Sequence, residues 1–533
     1  MKKCSRILPC LVFFFSLLTN ADAQITFEKN FASTSPDLEF PFHVTQTPDS
    51  GYVLFSMVYD SARSLANLKR LDAHGDLIWN RTIGLPGNTA VDASTPDPLI
   101  ITPDGGYVFV AGAYNGFQTK RICVVKLNDA GDIVWSTFLN PDSSTINAFG
   151  AFFPFNAPNN SIGILGSYRP YAINEMMSIL IDENGNVQSA KTFFLPYAHF
   201  FQNGVPAHDG IIFLIRETSD TSFLIGKMNF SGDIVWCKKL SSPFSSDLYF
   251  YSISEWSDHS IALMGVNNSP APRRAILVHL DSVGHPVTSK EFGNDSLFDL
   301  YLWSTAINES GVLAASGGAR YTFTHADIML VRFDENSNVL DSHVYPLAPN
   351  NFGYGIHRAH DGFIFCGGTG SNPLDTIGAY LVKTDPEGHT GCDSSVTISF
   401  LGDILITDSV FNLALANLIM NDTSLTITGT LTYTETVLCE DIPDANFFDG
   451  GKNNGLMKVY PTLCSGLLTI EEDGSILGIG DLELFDLSGR KLMAAKLSGT
   501  ETILNIEELH AGFYLLKISA GGGGMQLVKI FKR

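Results

Sequence analysis

One motif recurs seven times along this chain, and that repeat constrains the fold more than any other feature of the sequence. Each copy has an apolar run after a tight polar turn, as at residues 48–54 and 103–109. A second apolar run then enters a D-x-x-G turn that leads into another apolar run, as at residues 71–79. The spacing of this second turn averages about 52 residues, and its copies centre on Gly75, Gly131, Gly185, Gly232, Gly284, Ser337 and Gly388.

Each repeat contains four short strand candidates separated by turn residues, with almost no segment of helical periodicity. Four strands in a unit of about 50 residues are typical of one β-propeller blade. We therefore predict an all-β fold in which residues 24–392 form a seven-bladed β-propeller. An open β-solenoid or two β-sandwiches would be the alternative arrangement of the same strands.

The seventh repeat lacks its fourth strand, because the composition changes after the turn at residues 385–388. Residues 25–31 resemble the fourth strand of the second repeat and are predicted to complete the seventh blade, which leaves no open edge in the ring. The aromatic ring of Phe27 then takes the place held in other repeats by Trp79, Trp135 and Trp236. We expect these side chains to pack against the neighbouring blade.

The connections between strands differ at the two ends of the predicted blades. Strands one and two, and strands three and four, are joined by tight turns at one end. The remaining connections are long and irregular, as at residues 84–97 and 112–121. Because long loops on a rigid frame often carry binding sites, we predict ligand contacts at this long-loop end, although packing between loops is the alternative role for each residue. The predicted contacts are Tyr114, Tyr168, Tyr171, Arg320 and Tyr321.

The sequence contains none of the common catalytic signatures H-E-x-x-H, G-x-S-x-G or a P-loop. His357 and His360 are a close pair, but residues three apart fall on opposite faces of a strand. Residues 182–186 and 334–338 begin like a calcium loop and lack the glutamate that its last position requires. We therefore predict no catalytic residue, no metal site and no cofactor.

The charge balance limits the partners of the chain. With 33 Lys and Arg against 55 Asp and Glu, the formal net charge is −22, which argues against nucleic acid as a ligand. A hydrophobic content of 45% with 17% charged residues is typical of a folded protein. No stretch reaches the length of a transmembrane helix, and we expect a monomer.

The cysteines fit no zinc pattern. Cys123, Cys237 and Cys366 lie in apolar runs and are predicted to be buried thiols. Cys392 and Cys439 flank one segment of the connector at residues 393–440. An oxidising compartment would favour a disulfide between them, and two separate thiols are the alternative. This β-rich connector is expected to form a small strand pair or an extra domain, followed by an Asp-, Asn- and Gly-rich linker at residues 441–455.

The first 23 residues have the features of a signal peptide. Lys2 and Lys3 precede an apolar core at residues 11–18, and Ala21-Asp22-Ala23 is a cleavage signal that would leave Gln24 as the first mature residue. The apolar core is too short to span a bilayer.

The last part of the chain contains several short sequence blocks in a definite order. They include Val459-Tyr460-Pro461, a strand that ends in Asp486-Leu487-Ser488-Gly489-Arg490, then Leu509 to Tyr514, and a final strand with Lys529. Their order and spacing resemble the type A C-terminal sorting domain of the type IX secretion system of Bacteroidota, with a departure at Thr462-Leu463, where Asn-Pro is usual. The matching residues are Tyr460, Pro461, Gly466, Gly489, Arg490, Gly512, Tyr514 and Lys529.

This resemblance implies that residues 456–533 form a small β-sandwich that the type IX secretion machinery handles as its partner. An ordinary β-sandwich that caps the chain is the alternative. We expect a protein that passes through the periplasm and is secreted or displayed on the outer-membrane surface. Its predicted function is binding or adhesion to a glycan or protein ligand, and the alternative is a secreted hydrolase or lyase that degrades polymers from the loop face.

Overall fold

The computed structural model contains two compact units, Met1–Pro443 and Asp444–Arg533. The structure describes residues 25–33, 38–59, 64–85, 90–92, 97–114, 120–141, 152–168, 175–195, 199–217, 222–243, 247–268, 272–322, 325–346, 352–369, 378–417, 420–424, 433–441, 457–460, 463–464, 467–472, 480–486, 490–497, 501–506, 509, 512–520 and 525–532. The predicted signal peptide and residues 442–455 of the predicted linker lie outside these ranges, whereas Asp441 ends a described strand. Within them, no helix is long and apolar enough to cross a membrane.

The larger unit is a seven-bladed β-propeller of antiparallel sheets. The first strand is β1 (Thr26–Ser33), and blade one follows with β2 (Leu38–Gln46), β3 (Tyr52–Tyr59), β4 (Ser64–Leu71) and β5 (Leu77–Ile83). Blade two has β6 (Ala90–Asp92), β7 (Leu99–Ile101), β8 (Tyr107–Tyr114), β9 (Lys120–Leu127) and β10 (Ile133–Pro141). Blade three has β11 (Phe152–Asn156), β12 (Ile162–Tyr168), β13 (Glu175–Ile181) and β14 (Val187–Phe194).

The remaining blades repeat this order. Blade four has β15 (His199–Ala207), β16 (Gly210–Glu217), β17 (Phe223–Met228) and β18 (Ile234–Ser241). Blade five has β19 (Leu248–Glu255), β20 (Ile261–Asn267), β21 (Arg274–Leu280) and β22 (Pro286–Gly293). Blade six has β23 (Asp299–Ile307), β24 (Leu313–Thr322), β25 (His325–Phe333) and β26 (Val339–Tyr345), and blade seven has β27 (Phe352–Ala359), β28 (Gly362–Thr369) and β29 (Gly378–Thr384).

Strand β1 supplies the fourth strand of blade seven. It pairs antiparallel with β29, with Phe27 opposite Lys383 and Phe31 opposite Ala379. Blade seven in turn contacts blade one through β27 and β2, and each of the other blades contacts the next. The ring is therefore closed, and its innermost strands line a central channel, as in other propellers.

The fourth-strand aromatic residues hold adjacent blades together. Trp79 lies against the D-x-x-G turn of blade two, where a Cβ on Gly131 would lie 3.0 Å from its ring, and its indole N–H donates to the carbonyl of Asp129 at 3.1 Å. Gly131 has φ of +79°, a conformation that favours glycine. Trp135 makes the same contact with blade three and donates to the carbonyl of Glu183 at 2.7 Å.

Apolar side chains fill the spaces between blades and form the core. Phe55 of blade one and Phe109 of blade two are almost fully buried, for example, with their ring centroids 5.6 Å apart. Cys123, Cys237 and Cys366 are free and buried as predicted, and burial raises the pKa of each thiol to about 12. These thiols are packing groups, because the reactive thiolate form is suppressed.

The described strands of the connector after blade seven pair with blades of the propeller and not with one another. Its strands each add a fifth strand to the outer edge of one blade, and we call this segment the belt (residues 393–441). They are β30 (Ser394–Ser395) on β26, β31 (Ser399–Asp403) on β22, β32 (Thr407–Val410) on β18, β33 (Ala414–Asn417) on β14, β34 (Met420–Ser424) on β10 and β35 (Tyr433–Asp441) on β1.

The belt therefore passes blades six, five, four, three and two and ends on blade seven, in the direction opposite to the chain order of the blades. Between its strands, apolar side chains enter the spaces between blades: Ile398 and Ile406 are only 5% and 6% exposed. Residues 425–432, where the sequence suggested a turn between two strands, lie outside the described residues. The belt covers outer strand edges that would otherwise be open to other chains.

The smaller unit is a two-sheet β-sandwich. One sheet contains β36 (Met457–Tyr460), β38 (Leu467–Glu472) and β41 (Glu501–Asn505). The other contains β37 (Leu463–Cys464), β39 (Gly480–Asp486), β40 (Lys491–Lys496), β42 (Gly512–Ala520) and β43 (Met525–Lys532). Leu468, Leu484, Leu516 and Ile530 belong to its buried core.

Candidate functional site

The innermost strands of five blades share a local irregularity. In β2, β15, β19, β23 and β27 the pairing with the second strand slips by one or two residues. Such bulges redirect side chains and are common next to functional sites. The residues at these points are half-buried and mostly aromatic, namely Phe42, Gln202, Tyr251, Trp303 and Tyr354.

Two of these bulges belong to a continuous group of aromatic rings, which we call the aromatic cluster (Tyr249, Tyr251, Tyr301 and Trp303). The rings of Tyr249 and Tyr251 on β19 are stacked with centroids 6.4 Å apart. Tyr251 contacts Trp303 of β23 at 4.8 Å, and Trp303 stacks on Tyr301 at 5.4 Å with the planes only 4° apart. The cluster thus joins the innermost strands of blades five and six.

Arginine side chains flank the aromatic cluster on both sides. The guanidinium carbon of Arg216, from blade four, lies 3.8 Å from the ring centroid of Tyr249. The guanidinium of Arg273 lies 5.0 Å from the centroid of Tyr301. Cation–π contacts of this kind stabilise a cation over an aromatic face. Tyr301 is buried, with 8% of its surface exposed, whereas Tyr249, Tyr251 and Trp303 are half-buried.

One carboxylate links two of the arginines to the cluster. Asp299 Oδ2 accepts a hydrogen bond from the hydroxyl of Tyr301 at 3.1 Å and lies 3.9 Å from Arg273 and 3.7 Å from Arg320. Two guanidinium groups and one hydroxyl group therefore already surround this carboxylate. The arrangement suits binding better than hydrolysis.

Chain direction places this group at the long-loop end. Innermost strands begin there, and Tyr249 and Tyr301 stand near the start of their strands, while Arg216 and Arg320 stand near the end of second strands. Trp303 Nε1 is buried and meets no acceptor within the described part of the chain. A buried donor without an acceptor destabilises the folded state by about 1–3 kcal/mol. Stability alone therefore gives no reason for a tryptophan at position 303.

The predicted binding residues divide into two sets. Arg320 joins the group around Asp299, and the half-buried Tyr321 packs against the core of blades five and six. Tyr114 and Tyr168 end β8 and β12 at the long-loop end of blades two and three, and their side chains are not among the described groups. Tyr171 lies outside the described residues.

A second group of polar side chains lies on the innermost strands of blades seven, one and two, towards the tight-turn end. It borders a cavity of about 550 Å³ lined by His43, Gln46, Asn156, His357, Arg358 and His360 among others. Asp97 Oδ1 lies 2.8 Å from His43 Nδ1 and 3.2 Å from His357 Nε2. Although burial opposes it, hydrogen bonds from both histidines hold the pKa of Asp97 well below its usual value.

Asp97 reaches this position because the innermost strand of blade two is broken. Strands β6 and β7 both pair with β8, and residue 97 lies in the interval between them, next to Pro98. Proline cannot donate to a strand ladder and often marks such interruptions. The sequence analysis missed His43 and Asp97, because these two residues and His357 come from three different repeats. The one feature that could have indicated the site was Pro98, at a position where the repeat predicts a strand.

Four of the eight sorting-domain motif residues lie on described strands of the smaller unit. Tyr460 ends β36, Gly512 begins β42, and the buried Tyr514 follows it. Lys529 lies on β43, and Arg490 is exposed just before β40. Pro461, Gly466 and Gly489 lie outside the described residues.

Comparison with known families identifies this unit. Residues 458–532 match the family described as the Secretion system C-terminal sorting domain. The tail therefore fits a type A sorting domain of the type IX secretion system, and it indicates export to the cell surface or secretion. No curated protein sequence is significantly similar to the chain.

Several solved structures are similar to the chain at low identity. The NanB sialidase of Streptococcus pneumoniae is 8% identical over 66% of this chain and 69% of its own, with a TM-score of 0.38. A protein from Dyadobacter fermentans is 8% identical over 68% of this chain and 98% of its own, with a TM-score of 0.35. PorZ, a surface component of the type-IX secretion system of Porphyromonas gingivalis, is 10% identical over 95% of this chain and 100% of its own, with a TM-score of 0.24.

Proposed function

We propose that this chain, a β-propeller exported with a type IX sorting domain, is a surface or secreted binding protein that takes a glycan at the long-loop end of blades four to six. The observation that carries the proposal is the aromatic cluster with arginines at both sides. Flat aromatic faces can cover the apolar faces of sugar rings, and each guanidinium offers five N–H donors to hydroxyl or carboxylate oxygens.

The exposure of the surrounding groups supports access for a ligand. Arg273 has 41% of its side chain exposed, and Phe298, beside Arg320, is 38% exposed. Large exposed aromatic side chains near convergent polar groups are typical of recognition sites. The alternative of a polymer-degrading enzyme gains no support here, because Asp299 is held by arginines instead of facing a second carboxylate.

A glycan array screened with the mature protein, followed by calorimetric titration of the positive glycans, tests this proposal. Arg273→Ala and Trp303→Phe should weaken binding by about tenfold each, the scale of one lost hydrogen bond to a charged or buried group. The control Asp129→Asn, in a tight turn at the opposite end, should bind as the wild type does.

Unchanged affinity in the Arg273 and Trp303 variants, with loss of affinity in the Asp129 control, would reverse the assignment of the binding end. Absence of binding to any glycan would leave a protein ligand or a scaffold as the function.

A further inference from the structure

Three groups of histidine and carboxylate side chains have ligand atoms close enough to share a metal ion among the described residues. In two of these groups the side chains already make other contacts. His208, Glu255 and His259 lie in adjacent tight turns, where the two imidazoles are about half exposed and stack on each other at 3.8 Å. His343 has both ring nitrogens engaged, by Asp393 at 2.9 Å and Asp341 at 3.3 Å.

The third group, His43, Asp97 and His357, differs because it is built into the channel wall. His43 is 2% exposed, Asp97 22% and His357 34%, so access increases from the core towards the cavity that the two histidines line. The three side chains come from the innermost strands of blades one, two and seven. A closed ring therefore holds them in place before any ligand arrives, which lowers the entropic cost of binding.

The distances within this group suit a small divalent ion. Zinc bonds to imidazole nitrogen and carboxylate oxygen are about 2.0–2.2 Å long, which separates neighbouring ligand atoms of a tetrahedron by about 3.3 Å. Asp97 Oδ1 is 2.8 Å from His43 Nδ1 and 3.2 Å from His357 Nε2. Shifts of a few tenths of an ångström would open these separations to the tetrahedral value.

The chemical types of these three side chains also suit a transition-metal ion. Two imidazoles and one carboxylate are the protein ligands of open zinc sites, and they are likewise found around other first-row transition ions. Three protein ligands leave a fourth position free. Magnesium and calcium prefer sites built from oxygen atoms alone, so they fit this group poorly.

We propose that His43, Asp97 and His357 form a binding site for one divalent transition-metal ion, such as Zn²⁺, in the channel wall beside the cavity. The ion would tie together the innermost strands of blades seven, one and two. Its fourth position would accept water or an anionic group of a molecule that enters the cavity. The expectation from sequence that the chain has no metal site would then be wrong, because the ligands lie in three separate repeats.

The test uses the full mature protein, dialysed against EDTA and then titrated with ZnSO₄ in competition with a chromogenic chelator. One equivalent of Zn²⁺ should bind, the melting temperature should rise because the ion binds only the folded state, and Mg²⁺ should not compete. His357→Gln and Asp97→Asn should each weaken binding by about 100-fold or more, since each removes a direct ligand. Circular dichroism establishes that the variants are folded, and the more exposed His357 keeps the test valid should Asp97→Asn fail to fold.

Two controls separate this site from other histidines. His360→Gln changes a histidine that lines the same cavity outside the group, and it should bind zinc as the wild type does. The double variant His208→Gln, His259→Gln should also retain the site. Failure of the wild type to hold one Zn²⁺, retention of binding in His357→Gln, or its loss in the double variant would each overturn the proposal.

Discussion

Phe27 of the first strand packs against Gly75 of blade one: a Cβ on Gly75 would lie 2.6 Å from Cζ of the phenyl ring. Gly75 has φ of +78°, so a side chain there would be strained as well as crowded. The pair repeats, across the closure of the ring, the contact that Trp79 makes with Gly131. The contact thus joins blade seven, through its fourth strand β1, to the D-x-x-G turn of blade one.

The Phe27 joint should contribute strongly to stability. Phe27 is fully buried, and Phe27→Ala should lower the free energy of unfolding by about 3–5 kcal/mol, the usual cost of removing a core phenylalanine. The matched control is Val134→Ala, on another fourth strand but 58% exposed, which should change stability by less than about 0.5 kcal/mol. Equal denaturant midpoints for the two variants would count against the closing role of β1.

The belt should stabilise the blades that it crosses. Ile406 is 6% exposed between blades four and five, and Ile406→Ala should cost about 2–4 kcal/mol because it leaves a cavity there. Val410, on the same belt segment but 76% exposed, is the control for Val410→Ala. Thermal unfolding followed by circular dichroism measures both, and identical melting temperatures would mean that the belt adds nothing to the ring.

His343 should make stability depend on pH. Burial lowers its pKa, but hydrogen bonds from its ring to Asp341 and Asp393 and their charges outweigh this and raise the pKa to about 9. The stabilisation is complete below the unfolded value of about 6.5 and is lost as pH rises towards 9. Melting temperatures measured from pH 6 to pH 9.5 should therefore fall more steeply in the wild type than in His343→Gln. The exposed His74→Gln control should keep the wild-type slope.

Cys392 is disulfide-bonded, and we predict that its partner is Cys439. The backbone of Cys439 lies opposite Glu28, whose carboxylate accepts a hydrogen bond from the Thr390 hydroxyl at 2.6 Å. Peptide mapping without reduction should find the two cysteines joined, and Cys439→Ser should lower stability by about 2–4 kcal/mol. The control Cys464→Ser should not, and a peptide that links Cys392 to Cys464 would disprove the pairing.

Export should depend on the C-terminal unit. A chain truncated after Gly455 keeps the propeller and belt but lacks the sorting domain, so it should stay in the periplasm while the full chain reaches the surface or the medium. Cell fractionation and protease treatment of intact cells measure this. Normal surface display of the truncated chain would contradict the role of the tail.

Local patterns predicted the ring because each blade is specified by its own turns. The turns centred on the D-x-x-G glycines and on Ser337 have positive φ and recur at a regular spacing, and a tryptophan follows three of the seven turns at the same distance. The repeat is therefore visible without any long-range information. Arg320 and Tyr321 stand near the end of β24, and only two residues separate that strand from β25, so the long connection expected there from the sequence is absent in blade six.

Features that join distant residues were not predictable in this way. The belt strands are two to nine residues long and pair with blades in reverse order, so no local pattern shows their partners. The sequence analysis did not predict Trp303 and Tyr251 as site residues, because both lie at bulges, where the alternation of inward and outward side chains is interrupted. Asp97 joins two histidines from other repeats through a broken strand, and only the folded ring shows that they meet.

The pairing of β1 with β35 has a mechanical consequence when the chain beyond Asp441 is under tension. Thr26 lies opposite Asp441 at one end of this pair, so tension on the chain beyond Asp441 loads the hydrogen bonds from that end, one after another. Hydrogen bonds that are loaded one at a time resist far less force than hydrogen bonds that are loaded together. Strand β35 would therefore separate from β1 residue by residue, starting at Asp441. The predicted bond between Cys392 and Cys439 stands only two positions further along, where it would arrest this separation. A single covalent link would then determine how much of β35 stays on the ring when the chain beyond Asp441 is pulled.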